Sequence, residues 1–385
     1  MRYAIIGGRV FTGERILHDA AVLIDGHEIE GVMPRADVPL DVEVIDRSDC
    51  LITPGFIDVQ VNGAGGILFN DDPSADAMRL AYEAQKPFGT VYYLPTIITP
   101  PLETTLDFCA AYHGAARRGL RSVLGLHLEG PYISREKPGV HDLAYIRPAT
   151  DAELDKVLEA RADMPCLMTV APESITPAQI GRLVRAGVIV SLGHSNATYA
   201  QAMAAFDAGA TMATHLYNAM SPFEHRAPGV VGAVLNARDA YAGIIADGFH
   251  VDWGAVEVAY RLLGDRLALV TDAMPPLGVP DMRSFKLSDR EVFVGEGRCV
   301  DANGRLAGAD IDLASCVRNC VQHARIPLED ALRMASFSPA RALRMDRLGQ
   351  IKPGYLPSLT LLDDDLVARA IVIEGRYEAL STESA

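Results

Sequence analysis

The hydrophobic pattern divides the chain into two rhythms. Near its beginning, short apolar runs of β-type composition are separated by turns: RYAIIGGRVF, AAVLIDGHEIEGV and VEVIDRSDCLITPG. The same style returns near the end, in LGQIKPGYLPSLTLLD and ARAIVIEGRYEAL. Two distant β-rich ends predict one small β domain, a sandwich assembled from both termini. Between them, short apolar runs alternate with alanine-rich segments of helical character such as DAMRLAYEAQKPFG, TTLDFCAAYHGAARRG and PAQIGRLVRAG. Eight of the runs read as strands, over residues 55–60, 90–98, 122–129, 166–171, 188–194, 210–215, 241–249 and 267–272. Eight such βα units predict a closed (β/α)8 barrel of the TIM type. The expected division is residues 1–53 and 341–385 for the two parts of the small domain and 54–340 for the barrel. An open doubly wound sheet would show the same alternation, but no GxGxxG opens a helix after an early strand.

Several of the apolar runs end in a residue suited to metal binding or proton transfer. Glu129 closes the third in GLHLEGPYI, His194 the fifth in VIVSLGHSNAT and His215 the sixth in MATHLYNAM; His250 follows the seventh in IIADGFHVD, and Asp272 closes the eighth in LALVTDAM. In a parallel barrel those ends open onto one mouth, where active sites sit. A single histidine in a strand is more often a hydrogen-bonded structural residue than a ligand. The coincidence across separate strands is what points to a site. Two imidazoles and one carboxylate with an open fourth position are the usual surroundings of a catalytic divalent ion such as zinc. His127 shares a strand face with Glu129 but lies one pleat deeper, which suits a supporting residue better than a ligand. Near a metal-activated water, the carboxylate of Asp272 can serve as acid and base; its structural alternative is an N-cap.

Composition narrows the partners. The 385 residues are 49% hydrophobic and 22% charged, an ordinary globular balance, and their number suits one large domain plus a minor one. Lys and Arg number 35 against 50 Asp and Glu, a net charge of −15 with no basic run, so nucleic acid and anionic membrane are not expected as partners. An anionic ligand would need a few local cations to hold it. The six cysteines are scattered; the nearest pair, Cys316 and Cys320, has helical spacing and not that of a CxxC hook. They read as reduced thiols of a cytoplasmic protein. The opening MRYAIIGGRVFTGERIL has too short an apolar run for a signal peptide or a membrane span and reads as a first strand.

Taken together, PGFIDVQVNGAGG, GLHLEGPYIS, LGHSNAT, THLYNAM, ADGFHVD and LVTDAMPP resemble the N-acetylglucosamine-6-phosphate deacetylases of the amidohydrolase superfamily. LRMASFSPARALRM followed by LGQIKPGYLPSLTLLD is similar to that superfamily's closing segment. The resemblance runs over nearly the whole chain. It implies a metal-dependent barrel that removes acetate from an amino-sugar amide, with Glu129, His194 and His215 as metal ligands and Asp272 as acid-base residue. It also implies that His141, in KPGVHD, helps to polarise the acetyl carbonyl. Asn218, Ala219 and His250 would hold the sugar, and Arg226 the phosphate, reaching into a neighbouring subunit of a homodimer. One divalent ion per subunit is expected, Zn2+ first, with Fe2+, Co2+ or Mn2+ as alternatives.

Many amidohydrolases carry HxH on the first strand to hold a second metal. Here the pair is Gln60 and Asn62, whose amides are weak ligands for such an ion, so a single-metal site is expected. Two segments depart from the family's pattern, AMSPFEH after Asn218 and LAGADIDLASCV, both near the expected sugar and phosphate. His225 reads as a solvated loop residue. The rival readings are a deacetylase of a galacto or unphosphorylated amino sugar, a different amidase of the superfamily, and a non-catalytic barrel. The bridging lysine of binuclear relatives is missing from LMTVAPES, and a pure binder has no use for Asp272.

Overall fold

The computed structural model describes residues 2–380. Strands β1 (Arg2–Phe11), β2 (Ile16–Asp25), β3 (Glu28–Pro34) and β4 (Glu43–Pro54) come from the N-terminal region. The barrel follows, with β5 (Phe56–Val61), β6 (Thr90–Ile98), β7 (Leu126–Glu129), β8 (Cys166–Val170), β9 (Ile189–Leu192), β10 (Met212–Ala213), β11 (Tyr241–Ile244) and β12 (Leu267–Leu269). These eight are parallel and stand in sequential order. Where β12 returns to β5, the backbone of Asp272 donates to the Gln60 carbonyl at 3.0 Å and that of Asn62 to the Ala273 carbonyl at 2.9 Å. The buried carboxylate of Asp58 reinforces that seam by accepting from the Gln60 and Thr271 backbones and the Thr271 hydroxyl.

Strands covered on both faces carry unbroken apolar runs, and every residue of TVYYLPTII in β6 is buried. Five of the helices between strands start at residues that satisfy free N–H groups. Thr176 and Thr198 form capping boxes with Gln179 and Gln201, and Ser74, Thr150 and Asp252 cap three others. No helix among the described residues is long and apolar enough to cross a membrane.

After β12 comes an antiparallel sheet that the hydrophobic pattern did not reveal: β13 (Ser284–Leu287), β14 (Arg290–Gly295), β15 (Arg298–Asp301) and β16 (Leu306–Ala309). β16 is pinned beside the eighth barrel strand, since Ala309 N donates to the Asp272 carbonyl and Met274 N to that of Ala309. Three last strands, β17 (Leu359–Leu362), β18 (Ala368–Ile373) and β19 (Arg376–Ala379), join those from the start in one seven-stranded sheet, ordered β19-β18-β17-β4-β1-β2-β3. It folds over its own core, where Val22 and Ile24 of β2 share a buried cluster with Leu359, Leu361 and Val372. The expected small β domain built from both ends of the chain is present, with its strands joined in one seven-stranded sheet.

Several barrel strands are shorter than the apolar runs that announce them. The ladder stops before the last residues because the backbone turns into the left-handed region, with φ of +47° at His194, +31° at His215 and +52° at Asp272. Left-handed non-glycine residues are unfavourable, and they gather at functional sites. Here they swing three polar side chains over the barrel mouth.

Candidate active site

Glu129, His194 and His215 come together as a triangle of donor atoms. Oε1 of Glu129 lies 3.1 Å from Nε2 of His194 and 3.0 Å from Nε2 of His215, and the two Nε2 atoms are 3.1 Å apart. His194 donates from Nδ1 to the Lys137 carbonyl at 2.9 Å, which leaves its Nε2 as a lone pair. One proton on Nε2 of His215 then satisfies all three atoms, and Nδ1 of His215 makes no hydrogen bond among the described residues. Burial alone would raise the Glu129 carboxyl, but its contacts with the imidazoles of His194 and His215 hold it well below the usual carboxylate range. Burial opposes a charge on His215, and the Glu129 carboxylate overrides it and raises the imidazole.

This donor set suits a divalent cation. Ligands about 2.0–2.1 Å from a tetrahedral ion lie about 3.3 Å from one another, so the triangle needs to open by only a few tenths of an ångström. Replacing the His215 proton by a cation leaves three inward lone pairs. Glu129, His141 and His194 form a second possible set, with donor atoms within 4.8 Å of one another. The His215 triangle is the tighter of the two, and Nδ1 of His141 is already engaged by the Thr99 hydroxyl at 2.6 Å.

Asp272 stands beside the triangle, tied through amides. Gln60 donates from Nε2 to Oε2 of Glu129 at 3.2 Å and to Oδ1 of Asp272 at 3.0 Å, and Asn62 donates to the same Oδ1 at 2.6 Å. The two amides at the HxH positions therefore present N–H groups to carboxylates, which can only accept. Oδ2 of Asp272 has no partner among the described residues. Burial, followed by the negative charge of Glu129, pushes Asp272 up to about 6.

His127 contributes differently from the expected support for Glu129. It lies between the Thr96 and Thr169 hydroxyls, at 3.3 and 2.7 Å, and Thr169 continues through Thr214 to Ser191. It belongs to a belt of hydroxyls across the barrel, one layer below the site, and makes no hydrogen bond to any of the three triangle residues. Burial pushes it down to about 4, so it is neutral.

A cleft of about 580 Å³ opens above these groups, a size that suits a small polar ligand. Glu129, His141, His194, His215, Asn218, Ala219, His250 and Asp272 all line it. His250 is held by Asp247 through a 2.6 Å bond to Nδ1; burial alone would raise the Asp247 carboxyl, but His250 keeps it below its ordinary value. Arg226 does not line the cleft: with His225 it lies on an exposed stretch, residues 222–227. Sequence reasoning missed three cations that do line it, Arg135, Lys137 and Arg305. Arg135 and Lys137 come just after the GLHLEGPYIS motif, and Arg305 immediately precedes the segment LAGADIDLASCV that departs from the family pattern.

The comparisons with known proteins agree with this architecture. The amidohydrolase family profile matches residues 51–381, and that of the NagA composite domain matches residues 2–48. The chain belongs to the amidohydrolase family. It is 41% identical to an N-acetylglucosamine-6-phosphate deacetylase of Haemophilus influenzae, covering 98% of this chain and 100% of that protein. It is 42% identical to an N-acetylgalactosamine-6-phosphate deacetylase of a Shewanella species, over 85% of this chain and 84% of the other. A crystal structure of N-acetylglucosamine-6-phosphate deacetylase from Pasteurella multocida superposes with a TM-score of 0.95 at 40% identity, covering 98% of this chain and all of that one.

Proposed function

We propose that this protein hydrolyses N-acetylglucosamine 6-phosphate to acetate and glucosamine 6-phosphate. The observation that carries the reading is the Glu129, His194 and His215 triangle with Asp272 beside it, in a chain that aligns end to end with a relative of that activity. Those three residues would hold one divalent ion, zinc by the chemistry of two imidazoles and a carboxylate. When bound, the ion supplies a nucleophilic water at neutral pH and a polarised acyl oxygen.

The chain's own groups do the rest. Asp272, pushed up to about 6, is mostly ionised at pH 7 and can take the proton from the attacking water. It then delivers that proton to the amine as the C–N bond breaks, so acetate and an amino sugar leave. Gln60 and Asn62 hold Oδ1 of Asp272 and leave Oδ2 for the transfer. His141 donates to the acyl oxygen as charge develops there. Asn218, the backbone around Ala219, and His250 hold the sugar.

The phosphate is the part that a single chain leaves open. Arg226, exposed on its loop, would read it across the interface of a homodimer. Six buried, unpaired thiols fit a reducing cytoplasm. We take residues 1–53 and 341–385 as the small domain and 54–340 as the barrel. The galactosamine relative is equally similar by identity but over a shorter span, so the gluco epimer is our choice. Incubating purified, metal-loaded protein with both 6-phosphorylated epimers and with N-acetylglucosamine, and measuring acetate, tests this. Fastest release from the phosphorylated gluco sugar is expected; no acetate from any of them refutes it.

A further inference from the structure

Thr99, at the end of β6, has a backbone φ of +37°. For a β-branched residue this is an outlier, and such strain persists only where the surroundings impose it. Here they do. The Thr99 N–H donates to the Glu129 carbonyl at 2.8 Å. Residue 130 packs so closely that a Cβ on Gly130 would lie 2.3 Å from the Thr99 hydroxyl oxygen. The result is a buried hydroxyl set 2.6 Å from Nδ1 of His141, whose ring packs on that of His194 with centroids 4.2 Å apart.

The direction of that hydrogen bond decides what His141 can do. Among the described residues the Thr99 hydroxyl has one other acceptor within reach, the Glu129 carbonyl, and at 3.4 Å that contact is much longer than the 2.6 Å to Nδ1. The short contact is the better place for the hydroxyl hydrogen, with Nδ1 as its acceptor. A neutral imidazole that accepts at Nδ1 carries its hydrogen on Nε2, and Nε2 of His141 has no partner among the described residues in a side chain that lines the cleft.

We propose that Thr99 is a positioning residue for the deacetylation: by donating to Nδ1 of His141 it fixes the tautomer whose Nε2–H is a hydrogen-bond donor to the acyl oxygen. The same bond keeps His141 out of the ligand set, since an Nε2 bearing hydrogen offers no lone pair. This rests on the proposed activity, and its test separates the two.

Thr99→Val keeps the β-branch and the shape and removes only the hydroxyl, while Thr99→Ser keeps it. Loss of an oriented oxyanion donor typically costs about a hundredfold or more in kcat, and loss of its orientation alone should cost about tenfold to a hundredfold. The expected result is that fall in kcat for Thr99→Val with KM within about twofold, unchanged zinc affinity by competition titration, and recovery to within about threefold in Thr99→Ser. Nitrogen-15 NMR of wild-type protein, with and without zinc, should show Nδ1 of His141 unprotonated and Nε2 protonated, a readout that needs neither turnover nor a folded variant. A wild-type kcat in Thr99→Val, equal losses in both variants, weaker zinc binding, or a proton on Nδ1 would each overturn the proposal. If wild-type protein releases no acetate, the proposed activity falls, and the NMR result still judges the tautomer.

Discussion

The side-chain amide of Asn62 donates to Oδ1 of Asp272 at 2.6 Å, so the carboxylate has one oxygen tied down and the other free. That bond stabilises the ionised form against burial and the nearby Glu129 charge, which together push Asp272 up to about 6. A base must be ionised to work, so kcat/KM should fall as pH drops through the Asp272 pKa. A bound cation adds positive charge and can only move that limb to lower pH. Asn62→Ala removes a stabilising donor and should move the acid limb upward by about one unit. A limb that stays in place in Asn62→Ala would separate it from Asp272.

Asp272→Asn leaves the triangle intact and removes the proposed proton carrier. It should retain one equivalent of metal by elemental analysis while kcat falls by about 10²–10⁴-fold. Full turnover would exclude Asp272 from the chemistry.

Removing a triangle ligand should have the opposite signature. Glu129→Gln exchanges an anionic donor for a neutral amide, and metal content after dialysis should drop to a small fraction of an equivalent, with activity lost in parallel. Chelator treatment of wild-type protein should likewise abolish acetate release, and added zinc should restore it.

Arg226 is exposed in the single chain, which makes its role a question about assembly as well as substrate. Arg226→Ala should raise KM for the phosphorylated sugar about tenfold or more, with much less effect on the unphosphorylated analogue. Mixing it with an Asp272→Asn chain should restore part of the activity if Arg226 serves a partner's site. Equal KM changes for both sugars would mean that Arg226 does not read phosphate.

The barrel was legible because a parallel strand buried on both faces must be apolar throughout, and eight such runs alternate with helical segments. The convergence of polar groups at its mouth was legible for a related reason: Glu129, His194, His215 and Asp272 each interrupt the greasy pattern where a strand ends. Other features left no such trace. The β13 to β16 sheet is built from short, half-exposed strands whose polarity resembles that of a loop, as in the exposed and buried mixture of Arg290–Gly295. His127 looked like a partner of Glu129 because strand alternation gives a shared face without giving depth, and its real neighbours, Thr96 and Thr169, come from adjacent strands. The left-handed turns at Thr99, His194, His215 and Asp272 have no sequence signal at all, since none of the four is a glycine.

The most direct test is anomalous diffraction at the zinc edge from crystals of the metal-loaded protein. One peak per subunit is expected, about 2.0–2.2 Å from Oε1 of Glu129 and from Nε2 of both His194 and His215. A peak bound by His141 in place of His215, a second ion on Gln60 and Asn62, or no peak in active crystals would contradict the account.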